Sequence, residues 1–319
     1  MTAGQRRPAI GMRLEGVRFA VPQKVLTNHD LEQMVDTTDE WIQSRTGIRE
    51  RHILSGDETA SDMGFRAADQ LIREMAVDTS RIDALIVATA TPEMLFPSTA
   101  CVLAHKLGLN GPPSFDFSAA CSGFLYGLSI AKAYIESGTF RTVLLVCVEA
   151  LSRIVNWQDR NTCVLFGDGA GAAILTATES DRRLQSILIG ADGQYQEYLY
   201  VPLGGTIAMS GRDVFQVACR KMSEAATTAV EEAGLTFDDI DLVIPHQANT
   251  RIISQVAKLL RIPEEKFFVN IHSYGNTSAA SIPIAYREAD LAGRINPGDT
   301  ILFVAFGGGF TWGAAVLNV

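Results

Sequence analysis

The chain has 319 residues, 47% of them hydrophobic, enough for a large core and, on length alone, about two domains. A net charge of −9 without any dense Lys/Arg cluster excludes a nucleic-acid binder and favours a small-molecule or protein substrate. Five cysteines, odd in number and mostly set in apolar runs, match neither a disulfide framework nor a CxxC metal site, so a reducing cytoplasm is expected.

The opening MTAGQRRPAIGM has no apolar stretch, and no secretory leader is expected. Residues 13–21 read as a strand, 28–34 as a capped helix, and 37–53 (TTDEWIQSRTGIRERHI) as a helix followed by a charged, arginine-rich loop. A helix from Ser61 through Ala67, Leu71 and Ile72 leads into a β-branched strand over 83–92. Phe115, Phe117 and Ala119 then alternate with Asp116 and Ser118, the period of a strand. Beyond them Phe124, Leu125, Leu128, Ile130 and Ala131 recur at helical spacing as far as Gly138. Cys121 is therefore expected at or near the first turn of a buried helix, where unpaired N–H groups and the helix dipole favour thiolate. Taken alone it reads equally well as a small core hydrophobe.

The last twenty residues carry no charge, but their three consecutive glycines predict two buried strands around a turn rather than a membrane span. An internal repeat organises the whole chain. IDALIV at Ile82 is echoed by IDLVIP at Ile240, HKLGL at His105 by KLLRI at Lys258, the Cys121 helix and its strand by the segment from Thr277, and GAAIL at Gly171 by GAAVL at Gly313. Each half alternates strands and helices and ends on adjacent strands, predicting an α/β fold of two mixed sheets, over 1–178 and 179–319, with sites where the halves meet. The glycines of GDGAGAA fit neither GxGxxG nor a P-loop and read as packing glycines.

In the second half His246 lies between a strand end and a helix, the edge of a sheet where ligands bind; alone it could be structural. Asn276 heads the segment matched to Cys121 and alone would be a helix cap. Together the three form a thiol, imidazole and amide set suited to acyl chemistry.

At this point DEWIQSRTGIRERHI, AACSGF, FGDGAGAA, PHQAN, GNTSAAS and FGGGFTWGAA together resemble the β-ketoacyl-acyl carrier protein (ACP) synthase III enzymes of the thiolase superfamily, across essentially the whole chain. The resemblance implies a thiolase-like fold of two pseudo-symmetric halves in five layers (αβαβα). It implies a cytoplasmic homodimer that condenses a short acyl-CoA with malonyl-ACP, giving 3-oxoacyl-ACP, CoA and carbon dioxide through an acyl-Cys121 intermediate. No cofactor is bound permanently, acyl-CoA being a substrate, and no metal or membrane is involved. Catalysis would fall to Cys121, His246 and Asn276, and the oxyanion hole to the amides of Cys121 and Gly308. Trp41 and Arg160 resemble the pair that sandwiches the CoA adenine, and Arg45, Asn249, Arg251 and Phe215 substrate contacts. Phe96 resembles the residue that crosses the dimer to close the acyl pocket, although Trp41 could equally be core, Arg45 a surface charge and Phe96 a loop anchor. Arg251 and Lys258 would dock the carrier, with Arg261 and Arg220-Lys221 as possible additions; Gln216 stands where many members are basic.

His272 could tempt a Cys/His/His reading, but its loop context favours a structural role. The absence of a cysteine after Cys219 argues against a thiolase. A secondary-metabolism condensing relative, a Cys/His/Asn thioester hydrolase and a non-enzymatic acyl-CoA or carrier-protein binding module are the alternatives.

Overall fold

The computed structural model describes residues 10–319. The opening segment read as lacking a leader lies, through residue 9, outside the described residues. The first half runs β1 (Gly11–Ala20), β2 (Val25–Thr27), α1 (Asn28–Glu32), α2 (Asp39–Thr46), β3 (Glu50–His52), α3 (Ala60–Glu74), β4 (Ala84–Ala88), α4 (Thr99–Lys106), β5 (Ser114–Phe117), α5 (Gly123–Glu136), β6 (Thr142–Glu149) and β7 (Gly169–Thr178). The second runs β8 (Leu184–Ala191), β9 (Leu199–Tyr200), β10 (Ala208–Met209), α6 (Gly211–Glu232), β11 (Leu242–Pro245), α7 (Thr250–Leu260), α8 (Ile271–Tyr274), α9 (Ser281–Leu291), β12 (Thr300–Gly307) and β13 (Thr311–Asn318).

The repeat is written into the sheets. One has the order β1-β7-β6-β4-β5 and the other β8-β13-β12-β11, with Phe267 bridging β11 in parallel where β5 lies beside β4. In each, two antiparallel pairings are followed by a parallel one. Even the strand entrances match: Asp83 accepts from the amides of Arg141 and Thr142 at 2.7 and 2.9 Å, and Asp241 from that of Thr300 at 2.8 Å.

Period-two alternation explains the layering, because both faces of each sheet are covered. On β6, Val143, Leu145 and Cys147 join the central core, whereas Leu144 and Val146 face the outer core under α3 and α4. On β12, Ile301, Phe303 and Ala305 face the centre and Leu302 and Val304 the outer core under α6 and α7. Helices α5 and α9 fill the middle between the sheets, completing the thiolase-like αβαβα stack. The glycines of GDGAGAA have the packing role expected: a Cβ at Gly171 would stand 2.5 Å from Pro283 of α9, and one at Gly169 2.9 Å from Ile284.

One expectation changes. The segment read as a charged loop after α2 contains β3, paired with β2, and Arg51 within it is wholly buried. Its guanidinium donates through Nη1 and Nη2 to the Leu26 and Val164 carbonyls and to Asn28 Oδ1, so protein oxygens meet its two terminal nitrogens, while Nε has no hydrogen-bond partner among the described residues. The C-terminal run forms the two buried strands expected, β12 and β13. No helix among the described residues is long and apolar enough to cross a membrane.

Candidate active site

The two central helices begin alike. A 3-10 turn, Ala120–Ser122, leads into α5, and Ser278–Ala280 leads into α9. Ala120 and Ser278 both adopt left-handed backbone, φ 46° and 49°, a strained conformation for residues with a Cβ and one that clusters at functional sites. This register shifts the repeat by two residues. Cys121 sits in the turn that enters the helix, and its counterpart is Ala279. Asn276, two residues before the left-handed Ser278, matches Ser118. The turns meet closely, since a Cβ on Gly123 would lie 2.8 Å from that of Ala279.

Cys121 is the shared wall of two cavities. One, of about 130 Å³, is lined by Cys121, His246, Asn276, Phe215, Asn249 and Gly307 among others. The other, of about 360 Å³, is lined by Cys121, Ser278, Gly308, Phe166, Leu199 and Ile207 among others. Gly307, the last residue of β12, packs against the Cys121 backbone: a Cβ there would come within 2.6 Å of the Cys121 amide, so only glycine permits this approach. Burial works against the thiolate that a helix start favours. Burial pushes the Cys121 thiol up to about 12, against the pull of the Ser278 and Asn276 side chains, because a desolvated anion costs more than one helix start returns.

His246 and Asn276 are both buried, and the orientation of each is set by a partner on its far side. His246 Nδ1 is 2.6 Å from the Ser281 hydroxyl, leaving Nε2 for the cavity. Burial lowers its pKa to about 3, so the ring is neutral at physiological pH. When the Ser281 hydroxyl donates to Nδ1, the neutral ring carries its hydrogen on Nε2 and can donate into the cavity. Asn276 Oδ1 accepts from the Ser278 amide at 2.8 Å, and its own backbone is held by Leu165 and Gly167. Its Nδ2 is therefore the end left for donation. Two neutral donors beside a buried thiol can stabilise negative charge on a thioester oxygen.

The other predicted residues divide. Arg160 stacks on Trp41, with its guanidinium carbon 4.6 Å from the ring centre, and bonds the Asp36 carbonyl at 2.7 Å. An intercalated base needs about 7 Å, twice the ~3.5 Å contact spacing, so Arg160 must swing aside to admit one. Asn249 caps α7, accepting from the Arg251 amide at 2.8 Å and donating to the Arg45 carbonyl at 3.0 Å. Its side chain thus joins α2 to α7 at the rim of the smaller cavity. Arg251 lies over the Phe215 ring at 5.6 Å, and Lys258 is exposed on the same helix without an ion pair among the described residues. Arg220 and Lys221 add little positive charge, as both pair with Glu224. Phe96 is 86% exposed and lines neither cavity. His272 is exposed and away from both.

Comparison with known proteins decides the family. Residues 115–193 match the model of 3-oxoacyl-[acyl-carrier-protein] synthase III, and 230–319 match its C-terminal model. The chain is 50% identical over 303 residues to β-ketoacyl-[acyl-carrier-protein] synthase III of Bacillus pumilus, covering 95% of this chain and 97% of that protein. It is 47% identical over 318 residues to the synthase III of Caldanaerobacter subterraneus, covering 95% and 96%. The crystal structure of the Aquifex aeolicus synthase III superposes with a TM-score of 0.95 at 48% identity, covering 97% of this chain and all of that one. The chain belongs to the synthase III family. It is a condensing acyltransferase that opens fatty acid synthesis.

For a synthase III, sequence reasoning missed several residues that shape the site. Ser281, which holds His246, and Ser278, beside the thiol, lie in a run of small residues with no pattern to single them out. Glu149 left a signal: it is the only charge in TVLLVCVE and is wholly buried. Arg51 braces the segment that carries Trp41 and Arg45, and its place in an arginine-rich stretch disguised it.

Proposed function

We propose that the enzyme loads a short acyl group from acyl-CoA onto Cys121 and condenses it with malonyl-ACP to 3-oxoacyl-ACP, CoA and carbon dioxide. The observation that carries this reading is the convergence of Cys121, His246 and Asn276 on one cavity. In the first half-reaction the sulfur attacks the thioester, and the Cys121 and Gly308 amides receive the oxyanion. In the second, decarboxylation of malonyl-ACP builds charge on the thioester oxygen, which His246 Nε2 and Asn276 Nδ2 stabilise, each worth about 3 kcal/mol of barrier. The carbanion then attacks acyl-Cys121 and closes a ping-pong cycle. The smaller cavity admits the pantetheine arm, past Phe215 and Asn249, and the larger holds the acyl chain. Trp41 and a displaced Arg160 clasp the adenine, Arg45 and Arg251 meet phosphate, and Arg251 with Lys258 receives the carrier.

The molecule acts as a homodimer, with Phe96 closing the partner's acyl pocket. Met94, Leu95 and Phe96, all exposed here, supply an apolar segment that needs cover. Its halves divide at 178/179, between β7 and β8. It needs no resident cofactor and works in a reducing cytoplasm away from membranes, in keeping with five free thiols.

Intact-mass analysis after exposure to a panel of acyl-CoAs, then malonyl-ACP, tests the reading. Acyl-CoA should add one acyl mass that Cys121→Ala abolishes, and malonyl-ACP should discharge it as 3-oxoacyl-ACP. Discharge by water alone would instead mark a thioester hydrolase.

A further inference from the structure

Glu149 has no part in the cycle above, yet it ends β6 directly behind the nucleophile. Its Oε2 accepts from the Ala90 amide at 3.1 Å and the Thr91 hydroxyl at 2.8 Å, and its Oε1 from the Ser278 hydroxyl at 3.0 Å. Ser278 in turn faces Cys121: both line the larger cavity, and the serine side chain pulls the thiol's pKa down. The Ser278 amide is fixed on Asn276 Oδ1 and its backbone is left-handed, which holds a hydroxyl bonded to the carboxylate on the wall of the cavity that Cys121 also lines. Among the described residues no cation pairs with Glu149. The titratable groups that feel its charge are the thiols of Cys121 and Cys147.

A thiol this buried needs somewhere to send its proton. His246, held near 3, is a weak base, whereas burial raises Glu149 to about 7, close to working pH. We infer that Glu149, through the Ser278 hydroxyl, takes the proton that Cys121 releases as its sulfur attacks the acyl thioester. The Sγ–H proton passes to Ser278 Oγ while the Oγ proton passes to Glu149 Oε1, and the sulfur lone pair forms the new S–C bond. Collapse of the adduct breaks the C–S bond to CoA, and the proton returns along the same path to the departing CoA thiolate. Glu149 is thus a positioning residue for the proton of the nucleophile.

This inference rests on acyl loading of Cys121, and the test separates the two. Loading by acyl-CoA is followed by rapid-quench intact mass from about pH 5.5 to 8.5 in the wild type, Glu149→Gln, Ser278→Ala and the double variant. Because the ionised carboxylate accepts the proton, the wild-type rate should rise with pH through about 7. Each single variant should load about 100-fold more slowly without that rise, and the double variant no more slowly than the slower single, as members of one relay are not additive. Loading by Glu149→Gln as fast as or faster than the wild type, as a merely repulsive carboxylate would give, overturns the inference; so does a retained rise through pH 7. Should Glu149→Gln not fold, a Ser278→Ala variant that loads at the wild-type rate overturns it alone. A wild type that takes up no acyl mass refutes the Cys121 reading instead.

Discussion

Single contacts decide what each polar group in the site can do. Motif spacing brings out Cys121, His246 and Asn276, but only their far-side partners tell which atom faces the cavity. Ser281 is the clearest case, since its hydroxyl at His246 Nδ1 occupies that nitrogen and leaves Nε2 for the cavity. Ser281→Ala removes the partner that fixes the ring. Condensation with malonyl-ACP should then fall by about 10- to 100-fold, the usual cost of losing such a support, while acyl loading from acyl-CoA holds its rate. Separate single-turnover measurements of the two half-reactions check this split. The thiol teaches the opposite lesson: its place near a helix start predicts an activated thiolate, yet burial pushes it up to about 12. Desolvation depends on what the rest of the chain lays over a residue, and no local pattern records that.

At the scale of elements, the chain in sequence order already contains the alternation of strands and helices, because period-two and helical spacings are local. Its boundaries are less local. The helix expected from Cys121 begins at Gly123, since the left-handed Ala120 turns the chain before helical bonding can start. The junction of α5 and α9 is the tightest part of this design. A Cβ on Gly123 would lie 2.8 Å from the Ala279 Cβ and 3.1 Å from that of Ala88, and both neighbours are short side chains that cannot swing away. Gly123→Ala should cost about 1–3 kcal/mol of stability through overpacking, seen as a lower denaturation midpoint. Loading should slow as well, because the displaced turn carries Cys121; a variant with unchanged midpoint and rate would contradict this account.

The whole molecule is two copies of one plan with the proposed active site at their seam. Cys121 comes from one copy, His246 and Asn276 from the other, and the repeat in the sequence is what announces that they face each other. What lies beyond a single chain is recorded by Met94, Leu95 and Phe96, of which Phe96 is 86% exposed. If this segment seats in a second copy, Phe96→Asp should shift sedimentation from dimer to monomer and weaken acyl-CoA loading, with the fold intact by circular dichroism. A variant that remains dimeric and fully active would remove Phe96 from the interface.

Motifs and the resemblance they carry were sufficient for the family and its five layers, and the internal repeat for two matched mixed sheets, because each is carried by neighbours along the chain or by a repeated order of segments. The Glu149–Ser278 bond joins residues 129 apart, and the lone acid of β6 gave no hint of its partner. Which tautomer His246 holds, which end of Asn276 donates, and how far burial raises Cys121 and Glu149 all depend on atoms brought together from both halves. Protonation and donor direction follow from solvent exclusion and long-range contacts, which exist only once the sheets have closed over the two central helices.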